Sequence, residues 1–100
     1  MVDLRLVEGF DWDAGNSRKS VDRHGVTQAE AEQVFLCEKL LVLADDRHSI
    51  VELRYYALGC TDDGRYLHVT FTLRGGGRLI RVISARDMHR KERSRYAQEA

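Results

Sequence analysis

The chain has 100 residues, 43% of them apolar, and its 16 Lys and Arg balance its 16 Asp and Glu. That is enough for one small domain spanning residues 1–100, with a modest core. No apolar run approaches the roughly 20 residues of a membrane-spanning helix, and the opening MVDLRLVEGFDWD lacks the basic and apolar regions of a secretion signal.

Neutrality conceals a separation of charge. Residues 1–50 carry six Lys and Arg against ten Asp and Glu, and residues 51–100 carry ten against six. A dipolar surface follows, with its positive end in the second half. Cys37 and Cys60 are only two cysteines. Free, largely buried thiols in a reducing cytoplasm suit that count better than a disulfide framework.

In chain order, LRLVEGF reads as a short first strand. DWDAGNSRKSVDRHG reads as a helix, with Asp11 or Asp13 as N-cap, His24 near its end and Gly25 as its stop. Thr27 and Glu30 form a T-x-x-E capping box for a second helix, whose Ala31, Val34 and Phe35 share one face. Trp12 is expected to pack on these helices.

From Leu40 the period changes to that of strands. LLVLADD and LRYYALG are two of them, and RYLHVTFTLR a third. In the last, Leu67, Val69, Phe71 and Leu73 face one way, and His68, Thr70, Thr72 and Arg74 the other. GGG at 75–77 closes a hairpin, because glycine tolerates positive φ, and RLIRVIS returns as its partner. Ser84 and Asp87 read as an S-x-x-D cap for a final helix bearing Arg86, Arg90 and Arg93 on one face, with Met88 toward the sheet. The predicted fold class is α+β, with two N-terminal helices, an antiparallel sheet of about four strands, and a C-terminal helix.

The chemistry concentrates on the polar front of that sheet and on the last helix. His68, Thr72 and Arg74 lie on one strand, Arg81 on its hairpin partner, and Arg54 and Tyr56 on the preceding strand. RNA cleavage without metal needs such groups: a base for the 2′-hydroxyl, cations for the phosphorane, and an acid for the leaving oxygen. Arginine suits phosphate, since its planar fork bonds two oxygens at once. Against this stands a solvated basic helix, with His68 an ordinary surface histidine, His48 a loop residue and His89 exposed. No pair of His or Cys has metal-ligand spacing, and no nucleotide fingerprint is present, so no cofactor is expected.

FDWDAGNSRKSVDRHGVT, VF, DDRHS, RYYALG, FTLRGGGRLIRVISAR and RKERSRY, in this order across residues 8 to 96, resemble the BrnT toxins of type II toxin–antitoxin systems. The resemblance implies a RelE-like fold and an endoribonuclease that blocks translation. Its RNA-binding face would be opposed by a BrnA-like antitoxin with a ribbon-helix-helix part, through which alone operator DNA is reached. The ribosome is a further candidate partner. Carried over by position, the resemblance marks Arg74, Arg81, Arg86, Arg90, Glu92, Arg93 and Tyr96. Where such chains often read T-E-R-G, this one has Leu73 in place of the acid. The catalytic candidates are Arg81, Arg86, Arg54, His68 and Tyr96, and the RNA-binding ones Arg74, Arg90 and Arg93. A non-catalytic nucleic-acid-binding or antitoxin-binding module is the alternative.

Overall fold

A computed structural model describes residues 3–45 and 52–99. Among these residues, three α-helices and a five-stranded sheet form an α+β fold. The strands are β1 (Gly9–Phe10), β2 (Leu41–Ala44), β3 (Tyr55–Cys60), β4 (Tyr66–Arg74) and β5 (Leu79–Asp87). The helices are α1 (Lys19–His24), α2 (Gln28–Phe35) and α3 (Arg90–Glu99). Sheet order is β1-β5-β4-β3-β2, antiparallel except for the parallel pair β1–β5. The sheet is thus one strand larger than four, and mixed.

The alternation in β4 divides the protein into two apolar layers. On the back of the sheet, Leu67, Val69 and Phe71 join Ala57, Ile80, Val82 and Ala85 beneath Val26, Ala31 and Val34 of the α1–α2 region. Phe35 stands edge-on to Phe71, with ring centroids 5.0 Å apart. On the front, Leu58, Met88 and Tyr96 form a smaller cluster that seats α3. Full burial of the Val, Leu, Ile, Phe and Met side chains among these contributes about 1.5–3 kcal/mol each.

Local chemistry sets the helix limits. The Thr27–Glu30 capping box is present in both directions, and Gly25 ends α1 at φ 65°. The helix expected from Asp11 or Asp13 instead begins at Lys19, and neither aspartate caps it. Asn16 and Asp13 bond the nearby backbone themselves: Asn16 Oδ1 accepts the Asp13 N–H, Asn16 Nδ2 donates to the Asp11 carbonyl, and Asp13 Oδ1 accepts the Gly15 N–H. Such local bonds compete with helical ones. Trp12 is partly buried against the core, as expected, and its Nε1 donates to Glu32 at 2.7 Å.

The first strand is shorter than LRLVEGF, since Leu4–Leu6 form a 3-10 turn capped by Asp3 and only Gly9–Phe10 pair with β5. Further along β5, side chains satisfy the backbone: Asn16 Nδ2 donates to the Val82 carbonyl, and the Ala85 N–H donates to Ser20 Oγ at 2.7 Å.

The S-x-x-D cap does not form. Ser84 lies within β5 opposite Thr70, and pairing continues through Asp87 opposite Leu67. Asp87 is already engaged, accepting from Arg65 Nε at 2.7 Å and Nη2 at 3.1 Å. Arg86 therefore belongs to a strand, and of the three arginines expected on the last helix only Arg90 and Arg93 belong to α3. His48 lies outside the described residues.

Candidate functional site

A bulge in β5 decides which arginines share a face. Thr70 pairs with Ser84 but Phe71 with Val82, so Ile83 is the extra residue. Strict alternation would put Arg81 and Arg86, five residues apart, on opposite faces. With Ile83 inserted, Arg81 sits opposite Thr72 and Arg86 opposite His68, both on the polar front of β4.

Arg54, Tyr56, His68 and Arg86 meet at one open cavity of about 490 Å³, together with Lys19 and Glu92. The Tyr56 and His68 rings stack, with centroids 4.9 Å apart and planes 11° from parallel. Arg95 Nη1 donates to the Tyr56 hydroxyl at 3.0 Å, which leaves the phenolic proton free to be donated. His68 keeps 12% of its side chain exposed. Its Nδ1 is sealed from solvent and has no partner among the described residues, while Nε2 faces Glu92 Oε2 at 3.6 Å.

Glu92 organises this corner. Arg86 Nη1 and Nη2 donate to its two carboxylate oxygens at 2.8 and 2.9 Å, and the His89 N–H donates at 2.7 Å, at the start of α3. Burial alone would raise the Glu92 pKa, but Arg86, the His89 N–H and His68 outweigh it and bring it down to about 2. Burial, aided by the Arg86 charge, lowers the pKa of His68 below its ordinary value. At neutral pH the pair is therefore a carboxylate facing a neutral imidazole.

Residues 12–92 match the family of ribonuclease toxins, BrnT, of type II toxin–antitoxin systems. The chain belongs to the BrnT family. No protein with a curated description matches it. Among the described residues, no helix is long and apolar enough to cross a membrane.

The remaining candidates of this BrnT chain lie outside the cavity. Arg81 is held by Asp13, with Nη1–Oδ2 at 3.0 Å and Nη2–Oδ1 at 3.1 Å, and its Nη1 is 3.5 Å from Asp11. Arg74 pairs with Glu52 at 3.2 Å near the end of the hairpin. Arg90 is exposed on α3, and Arg93 lies over the Tyr66 ring, 4.6 Å from its centroid. Tyr96 is buried on the front of the sheet with its hydroxyl 3.5 Å from Cys37 Sγ.

Lys19 and Arg95 were not singled out by sequence, nor was a role for Glu92. Lys19 carried no signal, being one lysine in a segment read as a long helix. Glu92 did carry one, since it falls within R-K-E-R-S-R-Y and six residues after Arg86.

Proposed function

We propose that this protein is a metal-independent endoribonuclease that cleaves RNA by attack of a 2′-hydroxyl on the adjacent phosphate. The observation that carries the reading is the stacked Tyr56–His68 pair beside the Arg86–Glu92 pair in one polar cavity. At neutral pH His68 is in the unprotonated form that a general base needs, and it takes the proton from the 2′-hydroxyl on Nε2. The imidazolium so formed is stabilised by Glu92, 3.6 Å away. Arg86, Arg54 and Lys19 hold the non-bridging oxygens as charge grows on the phosphorane. Tyr56, tied to Arg95, donates its proton to the departing 5′-oxygen. The products are a 2′,3′-cyclic phosphate and a 5′-hydroxyl.

Arg81, Arg74, Arg90 and Arg93 extend the cationic surface along which the RNA backbone would run, and Tyr96 supports α3 from beneath. In the cell, the reading makes the protein a cytoplasmic inhibitor of translation, acting on free or ribosome-bound mRNA. It is silenced by a BrnA-like antitoxin that covers the cavity mouth and links the pair to operator DNA.

The test is incubation of purified protein with naked RNA in EDTA. Fragments ending in 2′,3′-cyclic or 3′-phosphate are expected, and Arg86→Ala should lower the rate by about 10²–10³-fold. RNA that is retarded but left intact, on and off the ribosome, would sink the reading in favour of a binding module.

A further inference from the structure

A second cavity, of about 370 Å³, shares no lining residue with the first. It is lined by Lys39, Cys60, Tyr66, Arg93, Tyr96 and Ala97. Cys60 Sγ lies 3.2 Å from Cys37 Sγ, which in turn is 3.5 Å from the Tyr96 hydroxyl. Both cysteines are half-buried; Cys60 lines the cavity, and Cys37 lies behind it in contact with Cys60.

The sulfurs meet because Gly59 lets the end of α2 lie directly on β3. A Cβ at Gly59 would come within 3.1 Å of both Val34 Cγ1 and the Val34 carbonyl oxygen, and within 3.4 Å of Cys37 Cβ. The two cysteines therefore come from separate elements, Cys60 from the end of β3 and Cys37 from just past α2, and are brought into contact by packing.

We propose that Cys37 and Cys60 are an oxidation site, closed to an intramolecular disulfide by an anionic low-molecular-weight disulfide of the glutathione class. The two thiols differ in the way this requires. Burial pulls the Cys37 thiol upward, but hydrogen bonds from the Tyr96 hydroxyl and from Cys60 outweigh it and leave Cys37 below the ordinary thiol value. The bond to Cys37, and then burial, raise Cys60. Cys37 is thus the attacking thiolate and Cys60 the thiol in reserve. Lys39 and Arg93 place two cations at the cavity, suited to the carboxylates of glutathione.

The step balances. Cys37 thiolate attacks one sulfur of oxidised glutathione, forming a mixed disulfide and releasing one glutathione thiolate, which takes up the proton Cys37 gave to solvent. Cys60 then attacks Cys37 Sγ, loses its own proton to the second departing glutathione, and completes the protein disulfide. Two protein thiols are oxidised while one glutathione disulfide is reduced to two thiols. The bond ties the end of α2 to β3 beside Tyr96, which seats α3 through Leu58 and Met88. This holds whether or not the first cavity cuts RNA.

The experiment treats the folded full-length protein with oxidised glutathione near neutral pH and follows intact mass and alkylatable thiols. Wild type should lose both thiols and the mass of two hydrogens while retaining no glutathione, and dithiothreitol should restore it. Cys60→Ser, a near-isosteric change, should stop at one glutathione on Cys37. A stable glutathione adduct on wild type, a disulfide-linked dimer, or thiols that react only after denaturation would overturn the proposal. So would a Cys60→Ser protein that takes up no glutathione.

Discussion

Two arginines on β5 end in the same chemical arrangement and in different surroundings. Arg86 grips Glu92, and Arg81 grips Asp13, each through both terminal guanidinium nitrogens, Nη1 and Nη2. Glu92 keeps 23% of its side chain exposed, comes from a helix seated in the front core, and also holds the His89 N–H. Asp13 keeps 57% exposed and comes from a turn. Under the proposed mechanism, a bidentate ion pair does not by itself mark the reactive site. What distinguishes Arg86 is that its partner also faces a neutral, largely buried histidine at 3.6 Å, so the pair can answer a proton transfer. Arg81 orders the N-terminal turn against the sheet, and among the described residues no histidine is paired with its partner Asp13.

The bluntest way to break the contrast is to insert an alanine between Ser84 and Ala85. Regular alternation after Ser84 then turns Arg86 toward the apolar back face and Ala85 away from it, because a one-residue slip moves every following side chain of the strand. An unpaired arginine against that core is strongly destabilising. The insertion should lower Tm by roughly 10 °C or more and abolish cleavage. Deleting Ile83, by contrast, leaves Arg81 and Arg86 an even four residues apart and on the same face without a bulge. An insertion variant that melts within a few degrees of wild type and keeps its activity would refute the register given to Arg86.

Glu92→Gln sharpens the contrast at its chemical end. Cleavage that needs neutral His68 is lost as pH falls through the His68 pKa, so the acid limb of the pH profile should lie below the ordinary 6.5. The Glu92 charge holds that pKa up, opposing burial and Arg86. Its removal should move the limb further down, by about half a pH unit to one, and slow the reaction by roughly tenfold to a hundredfold. Stability has its own signature. The Glu92 pKa lies below its unfolded value, so its contribution is present above about 4.5 and lost as pH falls toward about 2. Wild type should lose that stability across this window and Glu92→Gln should not. An acid limb that stays in place, or moves up, would detach Glu92 from His68.

Much of this fold was legible because its signals are local. Period-two alternation at 67–73 gave β4 and its two faces, and Thr27, Glu30 and Gly25 bounded the helices between them. The two cap misreadings share a cause: a side chain with a suitable spacing was already committed elsewhere. Asp13 serves Gly15 and Arg81 and does not cap a helix. Asp87 serves Arg65, so Ser84 stays in the strand and Arg86 with it. The cationic inventory of the cavity could be read as a list, but its geometry could not. An inserted residue in β5 leaves no mark in composition or period. Nor does sequence show that Tyr56 stacks on His68 while Tyr96 turns to Cys37.

Arg81→Ala offers the smallest effect and isolates the second half of the comparison. If Arg81 serves mainly to hold the turn and adds one cation to the RNA track, its loss removes a phosphate contact without touching the proton-transfer groups. Cleavage should fall by about threefold to tenfold, chiefly through KM, with the acid limb unmoved. The deficit should shrink as salt rises, because a neutralised phosphate contributes through released counterions. Asp13, in turn, loses the guanidinium that holds its carboxyl below the usual range, while Asp11 and Asn16 still brace the turn from the other side. Thermal stability should therefore change little, as for most exposed pairs. A rate loss as deep as that of Arg86→Ala, expressed in kcat and insensitive to salt, would move Arg81 into the reaction centre and erase the distinction between the two arginines.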